Sequence, residues 1–170
     1  MACVVDSIVP GDVEPTMSNL RAGVVHAIKE NRIFVVEKGM GVFEVNYKDK
    51  LRRILPRRNI SDSLTDASAV IETYSMSNRI MGEVIDPLLK EISFKTEYPS
   101  GSYAALTLVR GQNDLDIDLR RRLVLDYPDL EVMLKPNSKA LFPLDVGACI
   151  LMNKELGGVV TDGYGNSLDN

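Results

Sequence analysis

The spacing of hydrophobic and polar positions changes along the chain and predicts two kinds of structure. Residues 23–28 and 32–36 are rich in β-branched and aromatic side chains and flank a polar turn at 29–31, a pattern typical of a β-hairpin. A further strand is predicted at 42–45. The segment 46–66 is polar and basic, with Pro56 as a breaker, and we predict a loop at 61–66.

The second part of the chain alternates predicted strands with predicted helices. Strand-like runs at 69–74, 93–97 and 115–119 are separated by helical patterns at 78–92 and 103–110. Strands separated by helices are typical of an α/β layer with a substantially parallel sheet. In such sheets ligands gather at the carboxyl ends of strands and at the starts of helices.

One predicted strand carries a strict alternation of apolar and acidic residues. A period of two places three apolar side chains on one face and three carboxylates on the other: Leu115, Ile117 and Leu119 against Asp114, Asp116 and Asp118. Taken alone, acids on one face of a strand are more often a solvated surface than a functional site. Ser102, ahead of the helical pattern at 103–110, is a candidate helix N-cap.

Asp145 is the strongest candidate for chemistry. It precedes an apolar helical run and is placed as an N-cap, at a helix end whose free N–H groups and partial positive charge suit a phosphate. A carboxylate there also suits Mg²⁺, which shares oxygen ligands with phosphates. Gly147 and Ala148 fill a core poorly and leave room for a ligand. The alternative is that Asp145 only caps its helix.

Composition narrows the function classes. A chain of 170 residues with a net charge of −4 forms about one domain with no overall attraction to nucleic acid or anionic membranes. Two cysteines and one histidine exclude a disulfide framework and a zinc cluster. We expect Cys149 to be a small core residue and His26 to pack on a strand face. A signal peptide and a bilayer-spanning run are both missing, which favours the cytoplasm.

The run after Leu144 resembles the second signature of the inositol monophosphatase family. That signature is roughly W-D-x-A-A-G, then E-A-G-G, then a short strand ending in Asp. The matching residues are Asp145-Val146-Gly147-Ala148, Glu155-Leu156-Gly157-Gly158 and Val159-Val160-Thr161-Asp162. Leu144 replaces the usual aromatic residue. The family consists of Mg²⁺-dependent phosphomonoesterases whose signature Asp binds metal, so the resemblance implies Mg²⁺ as cofactor and Asp145 as a metal ligand.

A second resemblance concerns the substrate side. Gly101-Ser102 and the stretch 111–118 are similar to the family's G-[ST]-A-A segment followed by G-x-x-D-x-x-x-E. The resemblance implies that Gly101 and Ser102 lie beside the substrate and that Asp118, in place of the usual Glu, contacts a substrate hydroxyl. Asp114 is expected to hold the turn. No residue of this chain is assigned as catalytic.

The resemblance also implies an architecture. We expect a layered α/β sandwich with a mixed, partly parallel sheet, corresponding to the C-terminal half of the family's αβαβα fold. Residues 1–66 would be a strand-rich remnant of the preceding sheet, with a hairpin near 23–45 and a linker. Residues 67–170 would form the C-terminal α/β domain. The two motifs are several times farther apart than is usual, so we predict an inserted loop near 120–143.

The expected function is that of a phosphomonoesterase domain acting on a small phosphorylated polyol or sugar through metal-activated water. The family's first signature, D-P-[LI]-D-G-[ST], is absent from the sequence. We therefore expect this chain alone to hydrolyse phosphate esters slowly or not at all. One alternative is a catalytically inactive relative that binds a phosphorylated ligand or a protein partner. Another is a purely structural domain in which Asp145 and the glycines end helices. Family members often dimerise, so the resemblance implies a possible homodimer.

Overall fold

In the computed structural model the chain divides into two units, Met1–Asn59 with Phe142–Asn170, and Ile60–Leu141. The structure describes residues 2–5, 16–58, 63–72, 78–128 and 143–169. The first break lies close to the division predicted after residue 66. The second break places the last helix with the N-terminal sheet instead of with the parallel-sheet region, because that helix packs on the N-terminal sheet.

The first unit contains a five-stranded antiparallel sheet in the order β1-β2-β3-β4-β5. Its strands are β1 Ala2–Val5, β2 Leu20–Ala27, β3 Arg32–Glu37, β4 Gly41–Asn46 and β5 Arg52–Ile54. The predicted hairpin is confirmed, with Val25 of β2 opposite Phe34 of β3. Strand β5 lies in the polar, basic segment, where no strand was predicted. It is held by partners on β4: Glu44 pairs with Arg53, and the Arg52 guanidinium stacks over the Phe43 ring.

Helix α4, Pro143–Glu155, covers one face of this sheet. Gly23 of β2 lies directly under it: a Cβ on Gly23 would come within 2.7 Å of the Ala148 Cβ and 2.9 Å of the Ala148 Cα. The two smallest side chain types therefore set how closely helix and sheet approach. The buried residues of this layer include Val25, Phe34, Val36, Val42, Ala148, Cys149, Leu151 and Met152, which confirms Cys149 as a core residue.

The second unit is built on a three-stranded parallel sheet in the order β7-β6-β8. Its elements are β6 Ser68–Ile71, α1 Asn78–Glu91, β7 Phe94–Thr96, α2 Gly101–Val109, β8 Leu115–Ile117 and α3 Arg120–Asp126. The α/β class and the parallel pairing are confirmed. The expected mixed sheet is two sheets, one antiparallel and one parallel.

The face of the parallel sheet opposite the acids forms the core of the second unit. Register places Ala69 opposite Leu115 and Ile71 opposite Ile117, so their side chains share that face. Ile85 of α1 and Leu123 of α3 pack on it, with Leu119 partly buried at the edge. The apolar half of the alternation at 115–119 is therefore confirmed as a core face.

Two predictions for the C-terminal part need correction or fall outside the described residues. Val159–Asp162 is not a strand: its sole ladder contact is an isolated bridge between Thr161 and Ser167, and Val159 is 88% exposed. Instead Asp162 organises a turn, accepting hydrogen bonds from the Tyr164 and Asn166 amides. Of the predicted insertion near 120–143, the first part is helix α3, and residues 129–142 lie outside the described residues. Across the described ranges, the helices are all too short or too polar to span a bilayer.

Candidate functional site

Asp145 lies in the first turn of α4, and its side chain is exposed. The helix begins at Pro143, two residues earlier, so the prediction that Asp145 is the N-cap is wrong. Proline is favoured at the first helical position because it has no N–H to leave unpaired there. A carboxylate in the first turn still benefits from the positive end of the helix dipole. Asp145 therefore places an exposed negative charge in the first turn of α4.

The small residues after Asp145 serve packing. Gly147 and Ala148 are both buried, and Ala148 is in contact with Gly23. The expectation that they leave room for a ligand is wrong for Ala148, because the space beside it is filled by the sheet. The small side chain of Ala148 allows α4 to pack closely against β2 at Gly23.

Glu155, at the other end of α4, is a clamp on the β3–β4 turn. Its Oε1 accepts a hydrogen bond from the Gly39 amide at 2.8 Å, and its Oε2 accepts one from the Gly41 amide at 3.1 Å. Both glycines have left-handed backbones, with φ of +80° and +82°. The turn thus presents two N–H groups toward one carboxylate, which satisfies all three partners.

The glycine pair that follows Glu155 ends the helix. Gly157 has φ of +89°, a conformation that favours glycine. The Gly158 amide donates to the Asn153 carbonyl at 2.8 Å, and a Cβ on Gly158 would meet that same oxygen at 3.0 Å. Most of the signature is therefore explained by packing, capping and clamping. The exposed carboxylate of Asp145 is the part that these structural roles do not explain.

Asp145 meets the requirements of Mg²⁺ only as one ligand among several. No group of three or more histidine, cysteine or acidic side chains could hold a metal ion within the ranges that the structure describes. Mg²⁺ usually takes one or two carboxylates and completes its shell with phosphate oxygens and water. A single exposed carboxylate in the first turn of a helix fits an ion shared with a phosphate, and does not fit an all-protein cage.

Gly101 and Ser102 form the start of α2, just after the carboxyl end of β7. The N-cap is Ser100, whose Oγ accepts a hydrogen bond from the Tyr103 amide at 3.4 Å, so the prediction of Ser102 as N-cap is wrong. Ser102 lies instead within the first turn. Both residues remain at the helix end that faces the carboxyl side of the parallel sheet, where the substrate was expected.

Asp114 fastens the start of β8 to the start of β6. Its Oδ2 accepts hydrogen bonds from the Ser68 amide at 2.9 Å and from the Ser68 hydroxyl at 3.0 Å. Its own amide donates to the Ser68 carbonyl at 2.8 Å. This acid holds the turn, as its place in the motif indicated.

Asp118, just past the end of β8, is bound by Arg120. The guanidinium donates from Nε to Oδ1 at 2.8 Å and from Nη2 to Oδ2 at 2.7 Å. The Arg120 amide adds a third hydrogen bond, to Oδ1 at 3.0 Å. The Arg120 side chain is 3% exposed and that of Asp118 is 16% exposed. The carboxylate thus keeps a small accessible surface while its partner is buried.

Two further acids at this sheet edge were not recognised as a pair in the sequence. Glu72 follows β6 and is fully buried, with its Oε2 at 3.9 Å from Arg120 Nη2. Asp116 lies opposite Val70, on the face away from the apolar core. No described residue donates a hydrogen bond to Asp116 Oδ1. Burial, reinforced by the charges of Glu72 and Asp118 and opposed by Arg120, raises the pKa of Asp116 to about 7.

The predicted site residues therefore fall into two places. Gly101, Ser102 and Asp118 lie at the carboxyl edge of one parallel sheet, in the second unit. Asp145 belongs to the first unit, at the start of α4. Sequence patterns missed Glu72 and Arg120. A signal that could have found this cluster is that an acidic residue directly follows each of two neighbouring parallel strands: Glu72 follows β6 and Asp118 follows β8.

Searches by sequence matched no protein-family model and no curated protein. Comparison of folds did find similar structures. The chain matches inositol monophosphatase-II from Staphylococcus aureus with a TM-score of 0.66 at 16% identity, over 89% of this chain and 47% of that one. It matches an inositol monophosphatase from Thermotoga maritima with a TM-score of 0.59 at 22% identity, over 86% and 46%. It matches SuhB from Mycobacterium tuberculosis with a TM-score of 0.58 at 14% identity, over 81% and 47%.

The chain has part of the inositol monophosphatase fold. It spans about half the length of these structures while most of its own residues are covered, which agrees with the expectation of a partial match. The inositol monophosphatase fold accounts for both the antiparallel sheet with its packed helix and the parallel layer. At 14–22% identity the likeness shows the fold alone. Any activity has to be argued from the side chains described above.

Proposed function

We propose that the chain is a domain of a Mg²⁺-dependent phosphomonoesterase that acts on a small phosphorylated polyol or sugar in the cytoplasm. The observation that carries the proposal is the exposed Asp145 carboxylate in the first turn of α4, within a chain that has part of the inositol monophosphatase fold. The staphylococcal structures with inositol monophosphate and with 2′-AMP bound support a phosphorylated, hydroxyl-rich ligand.

Each residue then has a defined task. Asp145 supplies one carboxylate oxygen to Mg²⁺, and the N–H groups of the first turn of α4 favour the phosphate beside it. Gly101 and Ser102 line the substrate side, and Asp118 accepts a hydrogen bond from a substrate hydroxyl. When bound, Mg²⁺ supplies an activated water and neutralises phosphate charge. With a single candidate ligand among its described residues, the chain alone is expected to hydrolyse slowly or not at all.

The test is isothermal titration of the 170-residue chain with inositol monophosphate, with and without Mg²⁺. We expect binding that strengthens at least tenfold with Mg²⁺, and loss of that enhancement in D145N. The matched control is E37Q, which removes an exposed carboxylate from the same unit and should keep the enhancement. Binding that is equal with and without Mg²⁺, or equal in D145N and the unaltered chain, would refute the proposal.

A second candidate is a phosphate-ligand binding protein without catalysis. It is favoured by one observation, that the described residues hold no group of three metal ligands. The two candidates differ in the full gene product. The phosphatase predicts Mg²⁺-dependent release of phosphate, whereas the binding protein predicts Mg²⁺-dependent binding with no release.

A further inference from the structure

The carboxyl edge of the parallel sheet carries a charge cluster of four side chains, Glu72, Asp116, Asp118 and Arg120, which we name the strand-end cluster. Three of its members are carboxyl groups, and the fourth is the cation Arg120, which contacts two of them. The guanidinium lies 2.7 Å from Asp118 Oδ2 and 3.9 Å from Glu72 Oε2. Arg120 therefore joins the ends of two neighbouring strands.

The hydrogen bonds within the cluster fix the Asp118 carboxylate in one orientation. Both carboxylate oxygens accept from the planar guanidinium, and Oδ1 also accepts from the Arg120 amide. A fork of this kind restricts rotation about the Asp118 side chain in a way that a single ammonium cannot. Since a carboxylate can accept about four hydrogen bonds, room for about one more remains, and it is on Oδ2.

Burial distinguishes the roles of the two partners. The Arg120 side chain, at 3% exposure, is too enclosed to meet a ligand, whereas Asp118, at 16%, keeps an accessible part. Glu72, which is fully buried, places a second negative charge 3.9 Å from the guanidinium, close enough to attract it. The buried Arg120 thus lies between the buried Glu72 and the partly exposed Asp118, and it forms its hydrogen bonds with Asp118.

We propose that Arg120 is a positioning residue that sets Asp118 to accept a hydrogen bond from one substrate hydroxyl, with Glu72 anchoring Arg120. The inference rests on the proposed function, because it takes Asp118 as the substrate contact. It adds a reason why Asp118 can serve where the family usually has the longer Glu. Its carboxylate is fixed by hydrogen bonds from Arg120, two residues away.

The test measures the preference of the 170-residue chain for inositol monophosphate over inorganic phosphate, both with Mg²⁺. We expect D118N and R120M each to lower this preference about tenfold, the size of one charge-assisted hydrogen bond. The double variant should lose no more than D118N alone, because Arg120 acts through Asp118. R120K should stay impaired, since lysine keeps the charge and loses the fork. The matched control is R121Q, an exposed arginine of the same helix, with unchanged preference.

The outcomes separate the possible failures. An unchanged preference in R120M, full restoration by R120K, or additive losses in the double variant would each overturn the positioning role alone. If the unaltered chain binds neither probe, the proposed function fails and this inference fails with it. Circular dichroism checks folding, and if R120M unfolds, R120K with R120K/D118N gives the same comparison.

Discussion

The two units differ in how their buried acidic side chains are paired with arginines. In the antiparallel unit, Glu44 is 4% exposed and is bound by two arginines, Arg32 from β3 and Arg53 from β5. In the parallel unit, the contacts among the described residues place three carboxyl groups around one guanidinium, that of Arg120. A buried carboxylate that is fully paired supports the fold, whereas an excess of buried negative charge is costly and is often retained for function.

Glu155 extends the contrast within the antiparallel unit. Its carboxylate accepts hydrogen bonds from two turn amides, so the unit uses this acid as a structural connection. Asp145, on the same helix, is exposed instead. Two acidic residues of one sequence signature therefore differ in their surroundings: Glu155 is bonded to a turn, and Asp145 is exposed to solvent.

The largest effect expected from this difference is a pH dependence of stability that belongs to the parallel unit. The pKa of Asp116 is raised to about 7 by burial and by Glu72 and Asp118, with Arg120 opposing. The folded state then holds a proton that the unfolded chain releases near pH 4, so the free energy of unfolding falls as pH rises from about 4 to about 7. The expected fall is on the order of 3 kcal/mol.

Hydrogen exchange of amides in β6 and β8, corrected for intrinsic rates, measures this dependence between pH 5 and pH 8. The D116N variant removes the titrating group and should be nearly flat over this range. Protection that rises with pH, or that falls equally in D116N, would contradict the assignment to Asp116.

The next effect tests the packing of helix on sheet in the antiparallel unit. G23A places a methyl group within 2.7 Å of the Ala148 Cβ and 2.9 Å of its backbone, so helix and sheet must move apart. We expect a loss of about 1–3 kcal/mol in urea unfolding.

The matched control for G23A is G82A, in helix α1 of the parallel unit. No atom of the described residues lies within 4 Å of a Cβ placed on Gly82, and alanine is the better helix former, so this variant should gain up to about 1 kcal/mol. If the two substitutions change stability in the same direction, the account of the Gly23–Ala148 contact is wrong.

The smallest effect concerns the clamp between α4 and the β3–β4 turn. E155Q keeps the shape of the side chain but replaces one accepting oxygen with a donor, leaving one of the Gly39 and Gly41 amides without its partner. We expect a loss of about 1 kcal/mol in urea unfolding, and no loss in the exposed E37Q control. Equal stability of E155Q and the unaltered chain would show that water replaces the clamp.

Local periodicity predicted the elements whose stability depends on their own sequence. The hairpin of β2 and β3 and helix α1 follow directly from β-branched runs and from helical spacing. The alternation at 115–119 also predicted which residues face the core. These patterns hold because one face of each element is covered by the rest of its unit.

Features that depend on distant partners could not be predicted in the same way. Strand β5 is basic and forms because Glu44 and Phe43 on β4 accommodate its arginines. Val159–Asp162 has strand-like residues, but among the described residues it pairs only through the single bridge from Thr161 to Ser167, so it does not form a strand. The packing role of Ala148 required knowledge of Gly23, far away in the sequence.

The candidate site was predicted in part. The positions of Asp145 at the start of α4 and of Ser102 at the start of α2 follow from motif and helix signals. The strand-end cluster did not, because Glu72 and Arg120 enter it through the register of β6 and β8, which no local pattern encodes.

The central claim is that Asp145 shares a divalent cation with a phosphate, and paramagnetic Mn²⁺ tests where that cation binds. With inositol monophosphate present, Mn²⁺ should broaden the NMR amide signals of the first turn of α4, and D145N should abolish the broadening. Broadening centred on another part of the chain, or equal broadening in D145N, would contradict the claim.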